Sequence, residues 1–146
     1  MTTSTREPIT VGPLAIRFLI EGERSAGSVA VFEFDVPAGM SVAAGHSHDG
    51  YEETIYGLEG VLTWTIDGTP TDVGPGEALC IPRGAVHQFD NTRDTDARAL
   101  AVVTPGILGP DYFHQVAAIL DAAAGGAPDY AALGQVMRAH GITCAH

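Results

Sequence analysis

Between residues 9 and 105, apolar and polar positions alternate in short bursts separated by Gly and Pro. Ala30, Phe32, Phe34 and Val36 alternate with Val31, Glu33 and Asp35; Leu62, Trp64 and Ile66 alternate with Thr63, Thr65 and Asp67. A period of two sends successive side chains to opposite faces, so each run predicts a half-buried strand. Asp67-Gly68 supplies a hairpin turn after the second run. Further short β-type runs cover residues 14–20, 53–58, 77–81, 86–90 and 97–104, with turns at Pro37-Ala38-Gly39, Gly74-Pro75-Gly76 and Pro82-Arg83-Gly84. Strands this short and closely spaced predict an antiparallel sandwich or barrel.

At Pro105 the period changes. Tyr112, Val116, Ile119 or Leu120, and Ala123 fall at helical spacing, ending at Gly125-Gly126. A second helix carries Tyr130, Leu133, Met137 and His140, with Asp129 near its start and Gly141 just past its end. Abundant alanine favours both helices. Their apolar stripes need a partner, either the outside of the β structure or a second copy of the chain. No repeat, low-complexity tract or long linker divides the chain. The expected organisation is a β unit over residues 1–108 and a helical extension of the same domain over 109–146.

Composition narrows the chemistry. The 146 residues carry 18 Asp plus Glu against 7 basic residues, a net charge of −11, and all the basic residues are Arg. That field repels phosphate backbones and anionic membranes, so neither nucleic acid nor a membrane is an expected partner. Without Lys, Schiff-base chemistry and a phosphate-loop lysine are excluded. Residues 1–8 are polar and lack the apolar core of a secretory signal, and no apolar run reaches membrane-spanning length. A soluble, cytoplasmic protein is expected. Cys80 and Cys144 are too few for a disulfide framework, and Cys80, within Ala78-Leu79-Cys80-Ile81, reads as a packed, reduced thiol.

Candidate chemistry lies in the histidines. In His46-Ser47-His48-Asp49-Gly50-Tyr51-Glu52-Glu53, residues i and i+2 of a strand share a face, so His46 and His48 can present both imidazoles to one point. A carboxylate follows across the Gly50 bend. Imidazole plus carboxylate suits a transition metal. A third histidine, His87, follows the Pro82-x-Gly84 turn and leads into another predicted strand.

Together these segments resemble the two signature motifs of the cupin family. The second motif, G-x5-P-x-G-x2-H-x3-N, is matched at every specified position by Gly76, Pro82, Gly84, His87 and Asn91. The first, G-x5-H-x-H-x3,4-E-x6-G, is matched at His46, His48, Glu53 and Gly60, while Gly39 lies one residue too far from His46. The resemblance covers roughly residues 28 to 105 and leaves the helices outside. It implies an all-β double-stranded β-helix (a jelly-roll cupin barrel), here with a C-terminal two-helix extension. It also implies that His46, His48, Glu53 and His87 bind one divalent transition metal: Fe, Mn, Ni, Co or Zn. Glu52 competes with Glu53 for the carboxylate role. Glu53 is favoured by its distance to Gly60, and alternation allows only one of the two to face the metal.

Single-domain cupins with this ligand set include quercetinase-like dioxygenases, in which Glu53 would be the catalytic base. The resemblance therefore implies a metal-dependent dioxygenase acting on a small organic molecule, with aromatic and phenolic compounds among the candidates. Tyr51, Tyr56, Trp64 and Phe89 are candidate substrate contacts that serve equally well as core, and Arg83 is a candidate anion-steering group that serves equally well as an exposed turn residue. Alternatives are a redox-neutral isomerase, lyase or decarboxylase acting on an oxo acid, or a non-enzymatic small-ligand-binding cupin. Asn91 reads as structural, and His114, His140 and His146 as helix packing or surface. A homodimer is the expected assembly.

Overall fold

The computed structural model describes residues 7–41 and 45–145; the N-terminal residues through Arg6, and His146, lie outside the described residues. Among the described residues, eleven strands precede and follow two α-helices. They are β1 (Ile9–Val11), β2 (Leu14–Ile20), β3 (Ala30–Val36), β4 (His46–His48), β5 (Glu52–Glu59), β6 (Leu62–Ile66), β7 (Thr69–Val73), β8 (Ala78–Ile81), β9 (His87–Asp90), β10 (Ala97–Thr104) and β11 (Ile142–Cys144). Helices α1 (Pro110–Ala122) and α2 (Tyr130–Ala139) lie between β10 and β11.

The strands form two antiparallel sheets, ordered β1-β2-β3-β10-β5-β8 and β11-β4-β9-β6-β7. They pack face to face: Phe34 of β3 meets Trp64 of β6 and Phe89 of β9, with ring centroids 6.2 and 5.5 Å apart. The expected all-β jelly roll with a helical extension is therefore present. Its two sheets are not joined edge to edge into one closed barrel.

Alternation drives this layering. Ala30, Phe32, Phe34 and Val36 are buried while Val31, Glu33 and Asp35 are only half-buried, and β10 repeats the pattern in register with β3. On the outer face Asp35 is flanked by Arg17 and Arg98, whose guanidinium groups hold its carboxyl at about 2. The motif glycine Gly60 has φ +66°, and a Cβ there would lie 2.5 Å from the Asp96 carbonyl oxygen. Asn91 is buried; its amide donates to the carbonyls of Val36 and Thr95, and its oxygen accepts from Arg93 N–H.

The extension packs against the β unit. Phe113 of α1 meets Phe18 and Phe32, and so covers the inner face of the large sheet near β1 and β2. Asp129 caps α2 by accepting from Ala132 N–H at 3.0 Å, and Gly141 leaves the helix at φ +74°. The chain then returns as β11, an edge strand on β4. Two expectations need correction. Cys80 is exposed, because β8 is an edge strand and alternation turns Cys80 outward beside Thr54 while Ile81 faces the core. Tyr130, expected on the packed stripe of α2, is also exposed, since it stands in the first turn of that helix.

Candidate metal centre

His46 pairs in register with His87 across β4 and β9, and His48 follows on the same face of β4. Three imidazoles therefore converge from two adjacent strands of one sheet. One ring nitrogen from each lies within 4.8 Å of the others, and the ring centroids are 4.4 to 5.2 Å apart. The turn before β9 is tied to this strand, because Gly84 N–H donates to the His48 carbonyl at 2.8 Å.

The ring of His87 is set by its surroundings. Its Nδ1 lies 3.0 Å from the Ala85 carbonyl oxygen. A carbonyl only accepts, so Nδ1 carries the proton and the lone pair sits on Nε2. Nε2 is buried without a hydrogen-bond partner, as is Nδ1 of His48. Burial also lowers the pKa of both rings, that of His48 to about 2 with help from the adjacent His87 and His46. Neutral imidazoles with buried, unpartnered ring nitrogens are suited to a cation.

Glu53 faces the cluster from β5 of the opposite sheet, its Oε1 3.8 Å from His87 Nε2. It stands outside the compact three-histidine group but is nearly as buried. Burial raises its carboxyl from 4.5 to about 7. Burial disfavours charge on both partners, so it pushes Glu53 and His87 toward their neutral forms rather than toward an ion pair. Glu52 points the other way and hydrogen-bonds Arg83, with 2.9 Å between Arg83 Nη2 and Glu52 Oε1. One of the two neighbouring carboxylates thus lies inside and the other outside.

The remaining candidates separate clearly. Tyr51 is fully buried, its ring stacked on His48 at 4.4 Å and 21°. Trp64 and Phe89 pack on each other and on Phe34 in the layer next to the His87–Ile66 pair. Tyr56, by contrast, is 43% exposed on the outer face of β5, since it is an odd number of residues from Glu53. Arg83 is exposed and held by Glu52 on the surface. The structure therefore places neither Tyr56 nor Arg83 with the histidines. His140 lies 3.0 Å from Gln115 Oε1 on the helices, and His114 lines a surface groove of about 350 Å³ with Phe18 and Pro110.

What the sequence reading missed is the contribution of the C-terminus. Ile142 pairs with His48 and Cys144 with His46, so β11 lines the edge of the histidine strand. Tyr112 of α1 packs its ring 5.3 Å from that of His140, the residue that ends α2, and burial pushes its hydroxyl up to about 12. The only signal was the brief alternation Ile142-Thr143-Cys144, too short to distinguish from a loop.

Comparison with known proteins agrees with this architecture. Residues 32–103 match the family model described as a cupin domain. The chain carries a cupin domain. This cupin is 28% identical over 94 residues to quercetin 2,3-dioxygenase of Bacillus subtilis, covering 64% of this chain and 27% of that protein. It is 33% identical over 69 residues to protein SchB of Streptomyces halstedii, covering 47% of this chain and 50% of SchB. The chain thus spans half or less of these two curated relatives. Among solved structures, a predicted oxalate decarboxylase from Thermotoga maritima superposes with a TM-score of 0.59 at 26% identity, covering 63% of this cupin and 80% of that chain. No helix among the described residues is long and apolar enough to cross a membrane.

Proposed function

We propose that this cupin is a metal-dependent, quercetinase-like dioxygenase acting on a small organic molecule with an ionisable, phenolic or enolic, oxygen. The observation that carries the reading is the cluster of three converging imidazoles, His48 and His87 buried and His46 half-buried, faced by one buried carboxyl group. His46, His48 and His87 would hold a divalent transition metal, with Glu53 as a fourth ligand from the facing sheet. When bound, such an ion supplies Lewis acidity and open positions for an oxygen-bearing substrate and O₂.

The chain's own groups account for the rest. Glu53, facing the histidines with its Oε1 3.8 Å from His87 Nε2, is the carboxylate placed to take the substrate's hydroxyl proton. The proton would move to Glu53 as the substrate oxygen becomes anionic, beside the packed aromatic rings of Phe34, Trp64 and Phe89. The relationship to the Bacillus subtilis enzyme supports this choice of reaction.

A second reading is a redox-neutral decarboxylase or lyase of a small oxo acid, favoured by the likeness to the Thermotoga maritima structure. An oxygen electrode separates them. Protein loaded in turn with Fe(II), Mn(II), Co(II) and Ni(II) is expected to consume O₂ with flavonols or catechols. Oxo-acid turnover without O₂ uptake would replace the first reading with the second, and metal binding without turnover of either panel would leave a ligand-binding protein.

A further inference from the structure

Tyr51 presents a hydroxyl group that the fold does not use. The residue follows the Gly50 bend between β4 and β5, is fully buried, and lays its ring flat against His48. Its hydroxyl is buried without a hydrogen-bond partner among the described residues. Buried hydroxyls are almost always satisfied, because stranding one forfeits its bonds to water. Packing alone does not explain the group, since a phenylalanine ring would stack on His48 equally well. A ligand supplied from outside the chain does explain it.

Its position points to which ligand. Its ring lies 4.4 Å from that of His48 and the residue stands two positions before Glu53, so it lies beside the candidate centre. A phenol hydroxyl is a hydrogen-bond donor. We infer that Tyr51 donates a hydrogen bond to an oxygen atom of the organic ligand held beside His46, His48 and His87, and so selects ligands that place an oxygen there. This rests on the proposed function and adds a specificity-determining residue to it. A site built around such a donor discriminates strongly against ligands without the matching acceptor, because the donor is then left unpaired.

The test compares wild-type protein with Tyr51→Phe, each loaded with Zn(II), using 4-nitrocatechol as the probe and its visible absorbance as the readout. Tyr51→Phe is expected to keep the wild-type zinc content and a Tm equal to or above that of wild type, because the change removes an unsatisfied hydroxyl. It is expected to weaken nitrocatechol binding about ten-fold or more, the scale of one lost hydrogen bond to a charged oxygen. Tyr56→Phe, on the outer face, is the control and should bind as wild type does. Equal affinity in Tyr51→Phe and wild type would overturn the inference while leaving the metal centre standing. A fall in Tm of several degrees would also overturn it, by showing that the hydroxyl has a structural partner. Zinc-loaded wild type that binds no nitrocatechol would overturn it as well. Wild type that holds no zinc would instead remove the proposed function on which it rests.

Discussion

Replacing Ile142 with Ala should disturb the candidate metal centre without touching any of its histidines. Strand β4 has only three residues, and its ladder to β9 is the single pair His46–His87. Its other edge is held by β11 through three pairs: Ile142–His48, Thr143–Ser47 and Cys144–His46. Flanking contacts reinforce that edge: Thr143 donates to Asp49 at 3.0 Å, Asp49 N–H donates to the Gly141 carbonyl, and Ala145 N–H to that of Gly45. Ile142 anchors the strap, being only 2% exposed. Truncating a buried Ile to Ala costs about 2–5 kcal/mol through lost transfer energy and the cavity left behind. At about 3 kcal/mol, Tm should fall by about 6–12 °C for a chain of this size, as read by calorimetry. Metal affinity should drop about ten-fold, equivalent to about 1.4 kcal/mol of the loss reaching the β4 histidines. Ile16→Ala is the matched control, an equally buried Ile on β2 whose loss should lower Tm comparably with little effect on metal affinity. Equal weakening of metal binding by the two variants, or an Ile142→Ala protein unchanged in both quantities, would refute this role for β11.

Protonation gives a second expectation. Glu53 is raised to about 7 when folded, so its contribution to metal-free stability is complete below about 4.5 and is lost as pH rises through 7. Glu53→Gln should remove that loss, worth about 3 kcal/mol between pH 5 and 8 in urea melts. His48, lowered to about 2, acts in the opposite sense: its contribution is present above about 6.5 and declines as pH falls. Calorimetric metal titration at pH 6 in buffers of different ionisation enthalpy should therefore show about one proton fewer released by Glu53→Gln than by wild type; equal release would rule out Glu53 as the titrating group. Gly60→Ala should cost about 3 kcal/mol or more, since it combines left-handed strain with a Cβ contact of 2.5 Å to backbone. A variant within 0.5 kcal/mol of wild type, a threshold about the scale of an ordinary surface change, would contradict that reading.

The parts of the fold that were legible in sequence are those where one face meets the core and the other meets water. β2, β3, β6 and β10 have the bounds that their alternation predicts. β7 was not anticipated, because four of its five residues are exposed and it has no apolar face to announce it. β4 and β11 are three residues long and owe their conformation to each other, a pairing across most of the chain that no local period reports. Cys80 shows the same limit from the other side, since an apolar run on an edge strand need not be buried on both faces.

The candidate site divides along similar lines. His46, His48 and His87 come together as the spacing and the cupin motifs implied, and the split between Glu52 and Glu53 follows from strand alternation alone. The aromatic candidates could not be sorted by type, because only the strand face decides that Tyr51 lies within and Tyr56 without. The strand carrying Ile142 and Cys144 lay outside the motif-bearing segment, so only the three-dimensional pairing of β11 with β4 reveals it.

The central claim is that His46, His48 and His87, with Glu53, form one metal site. It is tested most directly by titrating metal-free wild type and His87→Ala with Co(II), then dialysing and measuring metal content. Trp64, the only tryptophan, lies in the layer next to His87 and reports occupancy through its fluorescence. Wild type should retain about one cobalt per chain with quenched emission, and His87→Ala should retain almost none, because removing one of three converging imidazoles abolishes the chelate. Full cobalt retention by His87→Ala, or none by wild type, would contradict the account.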